Sequence, residues 1–300
     1  MQIYKHGKLL LTAEYAVLDG ACALALPTVK GQKFTITQKD QANTIIWQAL
    51  DCEGKLWFWA EIRTSDWTVI KTNETGSAQA IIQLLKAIHA QNPSMFPSGS
   101  GLKIKCQLEF RQDWGLGSSS TLIAAMAEWS KTDPYWLSKK TFGGSGYDLA
   151  AANMNGPFIY QLSENGPKIK TTPLNWPFKD QLYFIHRNKK QNSRESIAHY
   201  RNQSISEAWL NQINDLTQEF VQARDAQDFG QLIRAHESAI AGALNLIPVK
   251  QELFPDFKGE IKSLGGWGGD FMLALGPKSS PDYFKAKGFP TVISFADMVR

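Results

Sequence analysis

Residues 115–121 read Gly115-Leu116-Gly117-Ser118-Ser119-Ser120-Thr121, two glycines followed by four consecutive hydroxyl side chains. A phosphate group needs several N–H donors converging at short range. Glycines let the backbone approach, and the start of a helix adds unpaired amides and its dipole. The hydroxyls of Ser118, Ser119, Ser120 and Thr121 can cap such a helix, and one of them can ligate the magnesium that accompanies a nucleotide. The segment also reads as a plain glycine turn with serine caps. It is not a Walker loop, because no Gly-Lys-Ser/Thr follows, and it does not complete a dinucleotide fingerprint.

Two further glycine clusters carry acids. Gly143-Gly144-Ser145-Gly146 leads through Tyr147 to Asp148, and Gly265-Gly266-Trp267-Gly268-Gly269-Asp270 precedes the apolar run 271–275. A carboxylate such as Asp148 beside a transferred phosphoryl group accepts or orients the proton of a substrate hydroxyl, and Lys8 suits the task of holding that carboxylate or the phosphates. Asp148 has a purely structural use as well, as an acid at a helix N-terminus. Arg187, Lys189, Lys190, Asn192, Ser193 and Arg194 offer cations and amides to an acceptor's carboxylate or phosphate, or else form a solvated basic loop. A serine hydrolase fits worse, since neither Ser119 nor Ser145 sits in a G-x-S-x-G elbow. His6, His89, His186, His199 and His236 have no ligand spacing, and Trp57, Phe58, Trp59 and Trp67 read as strand packing.

These loops need elements to hold them. Strands are expected at 8–11, 15–18, 34–38, 44–50 and 56–62. Ile81, Leu85 and Ile88 share one face of a helix over 78–90. Strict alternation from Leu102 to Phe110 predicts a strand with Ile104, Cys106 and Leu108 inward and Lys103, Lys105 and Gln107 outward. It is followed by the first glycine loop and a helix over 122–129, an order of strand, glycine loop and helix. A short second helix comes next. A further helix over 147–153, strands at 157–162, 182–186, 271–275 and 291–294, and a mostly helical stretch over 193–246 complete the reading.

Composition narrows the class. At 300 residues and 43% apolar content the chain buries a sizeable core as one large domain or two lobes. Three widely spaced cysteines, Cys22, Cys52 and Cys106, read as reduced structural thiols. A net charge of +4 suits an anionic small substrate but lacks the concentrated basic face of a nucleic-acid binder. No run approaches the roughly 18 apolar residues of a membrane span, and Lys8 and Glu14 interrupt the first apolar run, unlike a signal peptide. The expected location is the cytoplasm.

The glycine loops occur in the order and context of the GHMP kinase superfamily, which the chain resembles over nearly its whole length. Residues 7–18, Gly-Lys-Leu-Leu-Leu-Thr-Ala-Glu-Tyr-Ala-Val-Leu, are similar to the opening of phosphomevalonate kinases, with Ala13 in place of the usual glycine. Residues 115–121 resemble the family's ATP loop, and Lys262-Ser263 through Asp270 its C-terminal glycine loop. Gly146-Tyr147-Asp148-Leu149-Ala150 is similar to a bacterial branch described by the sequence GYDIA. The family's proline ahead of the ATP loop is absent, with Phe110 and Arg111 there, and Trp267 stands at a glycine position.

The resemblance implies an α+β fold, with an N-terminal ribosomal-protein-S5-like lobe over residues 1–176 and a ferredoxin-like lobe over 177–300 that binds ATP together with the first. It implies transfer of the γ-phosphoryl group of Mg-ATP to mevalonate or a related anionic alcohol. Phosphomevalonate kinase is the alternative, as is an inactive nucleotide-binding protein. Asp148 is implied as the catalytic carboxylate and Lys8 as its cationic neighbour. Gly115, Leu116, Gly117, Ser118, Ser119, Ser120, Thr121, Gly268 and Gly269 are implied to hold ATP, and Glu14, Tyr15, Ser145, Gly146, Tyr147, Lys190, Ser193 and Trp267 to contact the substrate. For Mg2+, Ser119 is implied and Glu128 is the candidate carboxylate; only 23 residues separate Thr121 from Ser145, fewer than the family's usual helical segment, so its customary glutamate has no assignable counterpart. The expected partners are ATP and a small molecule, without nucleic acid or membrane, in a monomer or homodimer.

Overall fold

Two long strands open the chain, β1 (Gln2–Leu10) and β2 (Ala23–Lys39). The computed structural model describes residues 1–40, 42–141, 143–189, 193–267 and 269–300. They divide into two compact units: Met1–Gly7, Lys30–Gln112 and Leu116–Asn153 form the first, and Lys8–Val29, Asp113–Gly115 and Met154–Arg300 the second. Each of the two strands contributes residues to both.

In the first unit, β3 (Thr44–Leu50), β4 (Leu56–Arg63), β5 (Thr68–Thr72) and β6 (Gly101–Leu108) join the later residues of β2 in the order β5-β4-β3-β6-β2. β2 and β6 run antiparallel from Gln32 opposite Leu108 to Lys39 opposite Gly101, whereas β3 and β6 are parallel. The alternation in β6 buries Ile104, Cys106 and Leu108, as the period of two requires. Helices α1 (Thr75–Gln91), α2 (Ser118–Ser130), α3 (Pro134–Thr141) and α4 (Tyr147–Asn153) complete the unit. Glu74 starts α1 by accepting from the amides of Gly76 and Ser77, and Ile81, Leu84, Leu85 and Ile88 join Phe34, Trp47 and Phe58 in the core.

In the second unit, β7 (Phe158–Ser163) pairs with the first residues of β2, and β8 (Gly166–Thr171) with β7. A separate antiparallel sheet contains β9 (Leu182–His186), β10 (Glu260–Ser263), β11 (Phe271–Leu275) and β12 (Val292–Ser294), in the order β10-β11-β9-β12. β9 and β11 are buried along their whole length, so neither alternates: β11 is apolar throughout and β9 is apolar up to its last residue, the buried His186. The helices are α5 (Ser193–Arg201), α6 (Glu207–Gln222), α7 (Ala226–Leu244), α8 (Val249–Leu253), α9 (Ser280–Ala286) and α10 (Phe295–Met298). Among the described residues, no helix is long and apolar enough to cross a membrane.

One expected strand is absent. Residues 15–18 form a turn of 3-10 helix, Ala16–Asp19, bounded by Ala13 at φ 62° and Tyr15 at φ 64°. The Val17 amide bonds Ala13 O at 3.0 Å and that of Leu18 bonds Tyr15 O at 2.8 Å. Between these two residues Glu14 is fully buried, its side chain paired with Lys262 in the interior of this unit. β5, β8 and β10 were not legible as strands. β5 and β8 are mostly exposed and polar, and β10 is only four residues long.

Candidate active site

In the first unit, Leu116 is fully buried and Gly117 takes φ 88°, a conformation that costs glycine little, so the chain turns sharply into α2 at Ser118. The helix therefore begins four residues earlier than its apolar pattern indicates, and the serines form its first turn without capping it. Ser120 donates to Gly117 O at 2.8 Å, and the buried Thr121 hydroxyl lies 2.6 Å from Gln32 Oε1 and 2.9 Å from Ser118 O. Both hydroxyls thus serve the loop's own structure. Ser118 is half-buried and Ser119 exposed, beside first-turn amides that have no partner within the helix. Hydroxyls, amides and the dipole together make an anion cradle.

Asp148 stands in the first turn of α4, which packs against α2 within the same unit. Gly143, Gly144 and Gly146 lead to it with φ of 72°, 115° and 87°. The half-buried carboxylate accepts from the Leu149 amide at 3.0 Å. Burial pushes the Tyr135 phenol up to about 12, with the negative charges of Asp148 and Asp133 adding to the effect. Ser145 and Tyr147 are half-buried and Gly146 is buried.

Glu128 is not brought to this cradle. It lies nine residues beyond Ser119 on α2, about 13 Å along the axis at ~1.5 Å per residue. There it pairs with the buried Lys5 at 2.6 Å, and Lys5 also donates to Asn153 Oδ1. Glu128 thus neutralises a core lysine where α2 and α4 end.

In the second unit, Lys8 is half-buried in β1. Gly115 has φ 65° and faces Asp270, so closely that a Cβ there would lie 2.3 Å from the Asp270 Cγ. Asp270, itself at φ 53°, is fixed through its backbone: its amide bonds Lys189 O at 2.7 Å and its carbonyl accepts from Arg187 N at 2.8 Å. Gly115→Ala is expected to cost about 1–2 kcal/mol for the left-handed conformation, to displace Asp270 and to weaken binding of a non-hydrolysable ATP analogue. Calorimetric titration checks this.

A buried polar network joins both ends of this unit's sequence. Glu14, Lys262 and His236 are each fully buried. Lys262 Nζ donates to Glu14 Oε1 at 2.5 Å and to Ser263 O at 3.0 Å. His236 Nε2 accepts from the Ala13 amide at 3.1 Å, which places the ring proton on Nδ1. Glu237 accepts from Ser263 N at 2.8 Å and Ser263 Oγ at 3.2 Å. Burial pushes the Glu14 carboxyl up, against the pull of Lys262, and it holds His236 neutral with help from the Lys262 charge.

Tyr15 is buried and stacked on Tyr200 at 5.5 Å, while Ser196 on α5 donates to Gly266 O at 3.1 Å. Trp267 is buried at φ 33°, its indole N–H without a partner among the described residues. Gly269 is buried. Lys190, Asn192 and Gly268 lie outside the described residues, and Ser193 opens α5.

The sequence reading missed the parts of His236 and Glu237, because adjacent polar residues on an otherwise amphipathic helix look solvated until the strand they meet is known. Lys262 was visible only as the first residue of a motif. Among the described residues no group of three or more His, Cys, Asp and Glu could hold a metal. Mg2+ does not require one, since it keeps several waters and takes most other ligands from phosphates plus one or two protein oxygens. The Ser118 and Ser119 hydroxyls fit that role.

No family model matches the chain, and neither does any curated sequence. Solved structures do. The Streptococcus pneumoniae phosphomevalonate kinase in complex with phosphomevalonate and AMPPNP matches with a TM-score of 0.71 at 14% identity, covering 98% of this chain and 99% of that one. Methanococcus jannaschii mevalonate kinase gives 0.69 at 16% identity over 98% and 96%. Lactococcus lactis galactokinase complexed with galactose gives 0.63 at 11% identity over 98% and 92%. Identities this low speak to backbone architecture, which agrees over almost the full length of each protein: the chain has the GHMP kinase fold.

Proposed function

We propose that this chain is an ATP-dependent small-molecule kinase that transfers the γ-phosphoryl group of Mg-ATP to mevalonate or a related anionic alcohol, with phosphomevalonate the second choice of acceptor. One observation carries the reading. The anion cradle at Ser118 and Ser119 and the half-buried Asp148 belong to one compact unit, on two helices packed against each other. Two proteins of similar fold, a phosphomevalonate kinase with phosphomevalonate and AMPPNP bound and a mevalonate kinase with R-mevalonate bound, support the choice of ligands.

In this reading the first-turn amides of α2 and the hydroxyls of Ser118 and Ser119 hold the nucleotide's phosphates. Asp148 orients the acceptor alcohol and takes its proton as the oxygen bonds to phosphorus and ADP departs. Bound Mg2+ neutralises phosphate charge. Lys8 is assigned to the cationic role by its place in the opening motif, and Tyr15, Tyr147 and Trp267 to the acceptor side. No covalent enzyme intermediate is needed, since positioning and charge neutralisation supply the catalysis.

A coupled assay of ADP release with Mg-ATP and a panel of mevalonate, phosphomevalonate and sugars tests this. ADP release is expected with mevalonate above the others. Silence across the panel despite measurable ATP binding would identify an inactive nucleotide-binding protein, and failure to bind ATP would end the kinase reading.

A further inference from the structure

Glu237 is 3% exposed, and both its oxygens are spent on one residue, Ser263, at the last position of β10 from which the glycine loop over 264–270 departs. We infer that Glu237 is a positioning residue that holds this loop at its β10 end, and that the hold depends on its carboxylate being ionised. The hold stands on geometry alone; its effect on catalysis rests on the kinase reading.

The groups facing Glu237 come from every element around it. β10 presents Lys262, Ser263 and Glu260; the turn after β1 presents Glu14; Arg187 follows β9, Lys250 lies on α8, and Arg234 and His236 share α7. Lys262 and Arg187 favour the charged carboxylate and Glu14 opposes it, while Arg234 and Lys250 are paired with Glu260 at 2.5 and 3.1 Å. Burial outweighs the rest and pushes the Glu237 carboxyl up to about 7. A cavity of about 370 Å³ is lined by Glu237 with Arg234, Ser238 and Lys250.

Above neutrality both oxygens accept, one from the Ser263 amide and one from its hydroxyl. Below it one oxygen becomes a donor and the charge that strengthens both bonds is lost. Global stability runs the other way. Because folding raises this carboxyl from 4.5 to about 7, its contribution is fully present below 4.5 and is lost as the pH rises through about 7. Faster exchange of the Ser263 amide at low pH would therefore report local release, since this group's effect on global unfolding has the opposite sign.

The test is amide hydrogen exchange at Ser263, normalised for intrinsic rate, in the full chain between pH 8 and 6. A group titrating near 7 loses its charge about tenfold over that range, so protection at Ser263 is expected to fall by up to that factor in the wild type and to stay flat in Glu237→Gln. A flat wild type, or an unchanged slope in the variant, overturns the inference. Should Glu237→Gln fail to fold, Ser263→Ala keeps the amide bond and is expected to show lower protection with the slope retained; a lost slope overturns the inference equally. If the kinase reading holds, KM for ATP rises toward pH 6 with kcat little changed, and Glu237→Gln removes that rise. A flat KM beside the expected exchange leaves the hold standing and removes this loop from nucleotide binding.

Discussion

Lys262→Met is expected to cost about 3–5 kcal/mol of stability, because it leaves a buried carboxylate without its counter-charge. The pair it breaks is fully buried on both sides and 2.5 Å long. Methionine fills most of the lysine's volume, so the loss belongs to the charge and its hydrogen bonds, with little from a cavity. Among the described residues Glu14 Oε2 already lacks a hydrogen-bond partner and lies 3.6 Å from His236 Nε2, so none of them stands ready to take over. The deficit should depend on pH. Without Lys262 the Glu14 carboxyl rises further, so the variant's stability is present below the ordinary 4.5 and is lost as the pH climbs above it. Urea unfolding at several pH values measures this, and the double variant Glu14→Gln with Lys262→Met should recover much of the loss. A single variant as stable as the wild type at neutral pH would mean the pair is not buried.

Asp148→Asn is expected to lower turnover by about 10²–10⁴-fold and to leave the affinity for a non-hydrolysable ATP analogue nearly intact. Asparagine keeps the shape and an oxygen to accept from the Leu149 amide, so α4 retains its start; the lost charge at the helix N-terminus costs only about 0.3–1 kcal/mol. What it lacks is a base able to take the acceptor's proton. The proposed phosphate cradle on α2 is built from other residues and should bind as before. Steady-state kinetics with calorimetric titration of the analogue separate the two effects. Turnover within a factor of a few of wild type would remove Asp148 from the proton transfer, and a parallel collapse of binding would make it part of the cradle.

Periodicity and loop chemistry are local properties, and they were legible in the chain. The alternation through β6, the helical face of α1 and the apolar runs of β9 and β11 follow from which side of an element meets the core. The glycine loops with their serines and acids are compatible with phosphate chemistry, since glycine lets the backbone approach an anion and a helix start offers it amides. Partnerships across the sequence were not legible, because they are decided by which surfaces pack. Glu128 has the right type for a metal ligand, yet helix rise carries it to Lys5. Residues 15–18 look like a strand, yet they form a turn with Ala13 and Tyr15 in the left-handed region, beside Glu14 buried against Lys262, 248 residues away. His236 and Glu237 gain their roles only where α7 meets β10. A buried charge must find its counter-charge wherever the fold places one, and nothing in its sequence neighbourhood records where that is.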